Sequence, residues 1–225
     1  MNSTLRFIVL ASTKVGESSL VLHTLSEEYG RRGFIVSVSH GAGMALYLPL
    51  NILEGEVVEN RKSDLWRLRG LSSLYPLDRI RSDVRKNTMT LFMSEVLYRA
   101  VKDGSSEEGL ESWCERSVLT LDALGSDFAN FHLRWLLELC GVLGFKASRE
   151  ALAPFLGEGL IPALRMLEGT FSEALMVPMN GDLRSEIAGG ILDYLSHHIG
   201  AQINVRSLKV LSELYNDSLV STKKS

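Results

Sequence analysis

Two hydrophobic patterns divide the chain, and the change falls near residue 86. Before it, apolar residues alternate with polar ones or form short bursts rich in β-branched and aromatic side chains, at residues 5–13, 19–26, 33–39, 46–60 and 65–77. Turn-forming residues separate the bursts, which is typical of half-buried strands. About five short strands in about 80 residues would leave unprotected edges in an open sheet, so we predict a small closed or nearly closed β-barrel.

After residue 86 the apolar period lengthens to three and four residues, the mark of amphipathic helices. The segments with this period are residues 84–104, 106–124, 126–145, 181–200 and 205–220. The predicted fold class is therefore α+β: a small N-terminal β-barrel over residues 1–80 and a mainly α-helical domain over residues 81–225. Residues 145–181 contain three prolines, and we expect short helices there, packed through Phe155, Leu156, Leu160, Leu164 and Leu167.

Composition narrows the class of protein. Of the 225 residues, 45% are hydrophobic and 23% are charged, which is ordinary for a folded globular chain. No apolar stretch approaches the roughly 20 residues that cross a bilayer, and no leader with a cleavage site opens the sequence. We therefore expect a cytoplasmic protein without membrane contact. Cys114 and Cys140 have no other Cys or His nearby at the spacing of metal ligands, and we expect both to be buried as small hydrophobic residues. Neither a metal nor a cofactor is therefore predicted.

Charge is unevenly distributed along the chain. The first 86 residues carry 12 basic and 9 acidic side chains, and the rest carry 12 and 18. Residues 61–86 hold eight basic and three acidic residues, with Trp66 and Tyr75 among them. Basic residues beside aromatic ones favour binding of single-stranded nucleic acid. The alternative, a solvated charged strand, is equally compatible with this composition.

Strand alternation refines this interpretation of residues 65–69. It places Arg67 and Arg69 on one face and Trp66 and Leu68 on the other. Trp66 is therefore expected in the core rather than as a stacking surface.

The stretch TLSEEYGRRGFIV, residues 24–36, places two arginines between two glycines. Because glycine permits tight turns, we expect a hairpin tip that points Arg31 and Arg32 outward, free to meet phosphate. The alternative is a set of local surface ion pairs worth about 0–1 kcal/mol.

Catalytic motifs are missing from the sequence. It contains no P-loop, no G-x-S-x-G, no H-E-x-x-H and no G-x-G-x-x-G at a strand-to-helix turn. His197 and His198 are adjacent in a helical pattern, about 100° apart around the axis, which is poor geometry for holding one metal. We predict that the protein is not an enzyme.

Several motifs in order resemble the RecO family of recombination mediators. They are VGESS at residues 15–19, SEEYGRRG at 26–33, the junction LRGLSSLYPLDRIRSDVRKN, the helix FANFHLRWLLELCGVLGF and the final ILDYLSHHIGAQINVRSLKVLSELY. The resemblance covers most of the chain and implies an OB-fold followed by a helical domain. Some members carry a four-cysteine zinc module, but residues 144–159 contain no cysteine, so zinc is not expected.

The resemblance also implies a function without catalysis. Such a protein binds single- and double-stranded DNA, anneals complementary strands and, with RecR, helps RecA to replace single-stranded DNA-binding protein (SSB) on gapped DNA, where it is associated with the nucleoid. RecA would be an indirect partner. The residues that we expect at the DNA surface are Lys14, Arg31, Arg32, Arg61, Lys62, Arg67, Arg69, Arg79, Arg81, Arg85 and Lys86.

The family further implies capture of the acidic C-terminal tail of SSB by the helical domain. Such a tail needs an apolar notch and a cation for its carboxylate. Phe131, Arg134 and Leu137 are the candidates. The alternative is that Arg134 pairs with Glu138 at i+4.

Two other functions remain compatible with the sequence. One is a protein-binding scaffold whose partner binding is insensitive to DNA. The other is an RNA-binding OB-fold protein in translation, which would prefer structured RNA to single-stranded DNA.

Overall fold

The N-terminal part of the chain forms a closed five-stranded barrel. The computed structural model describes residues 3–38, 44–60, 62–105 and 107–222. The strands are β1 (Ser3–Lys14), β2 (Ser19–Ser26), β3 (Gly30–Ser37), β4 (Ile52–Val58) and β5 (Trp66–Ser73). Their order around the barrel is β1-β2-β3-β5-β4, and β4 pairs with β1 to close it.

One seam of the barrel differs from the others. β3 and β5 run parallel and are joined by only three residue pairs, from Phe34 with Trp66 to Val36 with Leu68. Every other pair of neighbouring strands is antiparallel. A small closed barrel of this strand order is an OB-fold.

The barrel closes because alternating apolar side chains fill its interior. Phe7, Leu22, Phe34 and Leu53 are fully buried in one cluster. β1 shifts register between Val9 and Ala11, so its first half pairs with β4 and its second half with β2. A bulge of this kind bends a strand, which lets one strand serve both neighbours.

Helices make up the rest of the described chain, together with short 3-10 turns at Met44–Tyr47 and Gly157–Gly159. They are α1 (Asp78–Ser82), α2 (Val84–Ala100), α3 (Leu110–Ala123), α4 (Phe131–Val142), α5 (Arg149–Leu156), α6 (Leu160–Glu168), α7 (Phe171–Leu175), α8 (Gly181–Ile199) and α9 (Ser207–Thr222). The barrel followed by helices confirms the predicted fold class. The segment 145–181 folds as the short helices α5 to α7, with Leu156 and Leu164 buried.

Contacts divide the chain into two compact units. The first, the barrel unit, comprises Met1–Asp78 and Met93–Leu119. The second, the helical unit, comprises Arg79–Phe92 and Thr120–Ser225. The division passes through α2 and α3, and the domain boundary at residue 80 stays a prediction.

Three further observations concern the described residues. No helix in that part of the chain is long and apolar enough to cross a membrane. Cys114 and Cys140 are both free and buried, as expected, and burial raises the pKa of the Cys140 thiol to about 12. Within the same residues, no three His, Cys, Asp or Glu side chains gather in a way that could hold a metal ion.

Candidate nucleic-acid interface

A groove of about 690 Å³ lies on the barrel unit against β2 and β3. This volume falls within the range of roughly 300–1,000 Å³ that is common for ligand sites. In OB-folds the face of strands 2 and 3 and the loops β1–β2 and β4–β5 bind oligonucleotides. The lining residues come from β2, the turn at residues 27–29, β3, the β4–β5 loop and the end of α2 with the segment after it.

Gly33 forms part of the groove floor. A Cβ placed on this residue would lie 3.3 Å from Val21 Cγ1, 3.6 Å from His23 Nδ1 and 3.7 Å from Leu65 Cδ1. The side chains of Val21, His23 and Leu65 therefore close in over Gly33, and a larger residue there would have to push Val21 aside.

Arg31 joins the barrel to the end of α2 within the barrel unit. Its Nη1 donates to the Tyr98 carbonyl oxygen at 3.1 Å, and its Nη2 lies 3.7 Å from Asp103 Oδ1. The guanidinium carbon is 4.7 Å from the centroid of the Tyr98 ring, and the side chain is only 16% exposed. The Arg31 guanidinium is therefore held inside the protein by a hydrogen bond and an ion pair, while its buried Nε has no hydrogen-bond partner among the described residues.

Arg32 lies on an aromatic surface. Its guanidinium carbon is 3.9 Å from the centroid of the Trp66 ring and 5.6 Å from that of Tyr29. Its Nη2 donates to the Asp64 carbonyl oxygen at 3.0 Å. Trp66 itself is half-buried and packs against the barrel core, so Arg32 is a planar cation with a fixed support.

The predicted hairpin tip at Arg31 and Arg32 is wrong. The turn consists of residues 27–29, and β3 already begins at Gly30. Both arginines pair within the sheet, with Leu25 and Thr24 of β2. Gly30, at φ 59°, starts the strand directly after the turn, so the arginines extend from a strand instead of from a loop.

Arg67 and Arg69 are exposed on the outside of β5, with Leu68 buried between them. This confirms the predicted alternation. Arg67 is in register with Ile35 of β3, and Arg69 with Glu56 of β4. Among the described residues, neither arginine side chain makes a hydrogen bond or an ion pair, so both remain available to a phosphate.

Two further predicted cations lie on the barrel unit. Lys14 ends β1 and Lys62 lies in the β4–β5 loop, and both are exposed. Arg61, also expected at the DNA surface, lies outside the described residues.

The four remaining predicted DNA contacts belong to the helical unit, where two of them stabilise the end of α3. Lys86 is 2% exposed and donates to the carbonyl oxygens of Asp122, at 3.1 Å, and Leu124. Arg79 Nη1 donates to the Ala123 carbonyl oxygen at 2.6 Å. Cations commonly satisfy the free carbonyls at helix C-termini. Burial lowers the pKa of Lys86, and its ammonium is not presented to solvent.

Arg81 and Arg85 make local contacts in the same unit. Arg81 Nη1 donates to Asn87 Oδ1 at 2.7 Å, and burial lowers its pKa. Arg85 lies 5.1 Å from the Phe128 ring centroid and has a 43% exposed side chain. Of these two arginines, Arg85 has the more accessible charge.

The residues predicted to bind the SSB tail are largely engaged in packing. Phe131 and Leu137 are buried. Arg134 Nε donates to Glu138 Oε1 at 2.7 Å, which confirms the i+4 pair, and Nη1 donates to carbonyls at the end of α6, including Gly169 at 3.3 Å. In this conformation the three side chains form no open notch, and the location of a tail site stays a prediction.

Sequence reasoning missed His23, Gly33 and Tyr98 as groove residues. The His23 ring is 5.0 Å from that of Tyr98, centroid to centroid. Burial and the charge of Arg31 lower the pKa of His23, while Asp103 opposes them. Alternation along β2 places His23 on the same face as Val21 and could have suggested its side. No local signal indicates Tyr98, because it meets β3 across 67 positions of sequence.

Acidic groups also line the groove, so its electrostatics are mixed. They are Glu28, Asp64 and Asp103. Asp103 faces Arg31, and the Asp64 carbonyl holds Arg32. The excess positive charge therefore lies beside the groove, on β5 and the loops, more than inside it.

Comparison with known proteins gives a consistent result. No family model matches the chain. It is 31% identical over 170 residues to the DNA repair protein RecO of Flavobacterium johnsoniae. The aligned region covers 73% of this chain and 68% of that protein. A Bacteroides fragilis protein of the same name is 26% identical over 235 aligned positions, which cover 93% of this chain and 97% of that protein.

A third relative matches over a shorter region. The DNA repair protein RecO of Phocaeicola vulgatus is 31% identical over 147 residues, 64% of this chain and 61% of that protein. Together with the barrel and the helical region that follows it, these similarities show that the chain belongs to the RecO family of DNA repair proteins.

Proposed function

We propose that this protein is a non-catalytic recombination mediator that binds single- and double-stranded DNA and anneals complementary strands. With RecR, it helps RecA to replace SSB on gapped DNA, and it captures the SSB C-terminal tail. We place this activity in the cytoplasm, at the nucleoid. The observation that carries the proposal is the exposed pair Arg67 and Arg69, which have no side-chain partner in the described part of the chain, beside a groove on the strand 2–3 face of an OB-fold.

Phosphate neutralisation is the first step of the proposed mechanism. Each phosphate that meets an arginine releases condensed counterions, so the affinity falls as salt rises and depends little on sequence. Arg67 and Arg69 are suited to this contact because a guanidinium can donate two parallel hydrogen bonds to a phosphate.

Annealing follows from the same electrostatics. Two complementary strands repel each other through their phosphates, and a basic surface that holds one strand reduces this repulsion. Base pairing then supplies the free energy of annealing, so the protein needs no bound nucleotide and no catalytic group for this step.

The proposal is tested by charge reversal on β5. We expect Arg67→Glu/Arg69→Glu to weaken binding of a labelled single strand of about 30 nucleotides at least tenfold, measured by fluorescence anisotropy. The logarithm of the binding constant falls linearly with the logarithm of the salt concentration, and this slope should become less steep by about 0.7 for each lost phosphate contact. Strand annealing, measured by fluorescence transfer between two labelled strands, should slow in parallel.

A matched control separates local charge from net charge. Lys146→Glu/Lys209→Glu changes the net charge by the same amount at two exposed positions of the helical unit, and its affinity should stay within about twofold of the wild type. Circular dichroism checks that all variants are folded. A folded wild type that binds no DNA at low salt, or equal losses in both double variants, would refute DNA binding by β5. Partner binding that does not depend on DNA would then favour the protein-binding scaffold. A preference for structured RNA would favour the RNA-binding OB-fold protein in translation.

A further inference from the structure

We propose that the groove holds one unpaired base of single-stranded DNA, stacked on the guanidinium of Arg32. This inference rests on the proposed function and deepens it, because it assigns the groove to the base and leaves the phosphates to the cations around it.

The support under Arg32 is the first argument. Trp66 lies 3.9 Å beneath the guanidinium carbon, and the Asp64 carbonyl oxygen fixes Nη2 at 3.0 Å. Arg32 is also among the residues that line the groove. Arginine planes and aromatic rings are the surfaces on which proteins stack unpaired bases. Because the protein already holds this plane in place, little conformational entropy remains to be lost when a base arrives.

The shape of the groove is the second argument. Val21, His23 and Leu65 close in over Gly33 and line the groove there. His23 Nδ1 lies 3.6 Å from the position of a Cβ added to Gly33. A floor of Val21 and Leu65 side chains with a histidine nitrogen at its side suits a heterocycle that has both an apolar face and a polar edge.

The position of Arg67 is the third argument. It is in register with Ile35, two residues beyond Gly33 along β3, which corresponds to about 7 Å. Arg67 is exposed and has no partner among the described residues. A base in the groove and a phosphate at Arg67 can therefore belong to the same short stretch of one strand.

This arrangement selects against duplex DNA. Bases inside a duplex are covered on both faces by their neighbours, so a base must leave the stack before it can meet Arg32. Single strands do not carry this cost.

The test compares two ligands that differ only in their bases. Oligo(dT) of 20 nucleotides and an abasic strand with the same number of phosphates are bound to the full-length protein and followed by anisotropy. We expect oligo(dT) to bind about tenfold tighter than the abasic strand, in keeping with the stacking of one base. Arg32→Lys keeps the charge and loses the plane, so it should remove most of this preference while affinity for the abasic strand stays within about twofold.

The control and a second variant make the test independent of one substitution. Arg67→Lys should lower the affinity for both strands alike and leave their ratio unchanged. Gly33→Val adds a bulky side chain to the groove floor while residue 32 stays arginine, and it should abolish the preference, which covers the case in which Arg32→Lys does not fold. Oligo(rU) is a further ligand, and tighter binding to it than to oligo(dT) would overturn the assignment to DNA.

The outcomes distinguish this inference from the proposed function. Equal, salt-dependent binding of oligo(dT) and the abasic strand by the wild type overturns base stacking and leaves DNA binding intact. Binding of neither strand overturns the proposed function and this inference with it. A preference for oligo(dT) that survives in folded Arg32→Lys and Gly33→Val overturns the assignment to the groove.

Discussion

His132 is a histidine that the helical unit keeps uncharged. Its ring stacks on Tyr215 with centroids 6.3 Å apart and meets Phe92 at 5.7 Å. Burial, with the charge of Arg184, lowers its pKa to about 3, although a backbone hydrogen bond at Ala129 opposes this. The residue therefore acts as an aromatic core residue over the ordinary pH range.

This burial gives the stability of the protein a defined dependence on pH. The unfolded chain binds a proton at His132 near pH 6.5, whereas the folded chain binds one only near pH 3. The free energy of unfolding therefore falls as the pH drops from 6.5 toward 3, by about 1.4 kcal/mol per pH unit. Between pH 7.5 and 5.0, His132 should contribute a loss of about 2 kcal/mol.

His132→Phe should remove this contribution, because phenylalanine keeps the aromatic contacts and does not titrate. Urea unfolding of the wild type and the variant at both pH values measures the difference. Parallel losses in the two proteins would contradict the assignment of the proton to His132.

Among the elements, α8 packs closest to α5. A Cβ on Gly190 would overlap the Phe155 carbonyl oxygen and lie 2.6 Å from Leu156 Cδ2. One helix turn of backbone thus lies directly against another, and only glycine fits at this crossing. The neighbouring Gly189 has nothing within 4 Å of the corresponding position.

The two glycines form a matched pair for mutation. Gly190→Ala should lower the free energy of unfolding by about 1–3 kcal/mol, because it overpacks a backbone contact. Gly189→Ala should leave it unchanged or raise it by up to about 1 kcal/mol, because alanine favours helix. Thermal unfolding followed by circular dichroism measures both, and an equal shift in the two variants would refute the close crossing.

At the scale of the whole molecule, hydrophobic periodicity predicted the fold well. The five strands and the helices α2, α3, α4, α8 and α9 are long enough for their apolar positions to leave a period in the sequence. Helix α1, of five residues, went unpredicted because it is too short to establish a period.

The candidate site was less predictable than the fold, because each basic side chain meets partners that are distant in the sequence. Lys86 is a basic residue in a basic segment, as expected of a DNA contact. Its hydrogen-bond partners, however, lie 36 and 38 positions away at the end of α3. Arg32 and Trp66 come together through pairing of β3 with β5. A local pattern can show that a side chain is basic, but it does not show which carbonyl or ring that side chain meets.

The parallel seam between β3 and β5 should be the weakest part of the closed barrel. It has three residue pairs, whereas β2 and β3 share eight. In native-state hydrogen exchange, we therefore expect the amides of residues 66–68 that bond across the seam to exchange faster than those shared by β2 and β3. Equal protection would show that the barrel opens only as a whole.

The same seam gives the molecule an order of events during its synthesis. Trp66 meets Phe34 across 32 positions of chain, and closing so long a loop costs entropy that local hairpins do not. A nascent chain on the ribosome can form the β1–β2–β3 meander early, yet Arg32 gains its aromatic support only after β5 has emerged and docked. The groove is therefore among the last features of the barrel to mature.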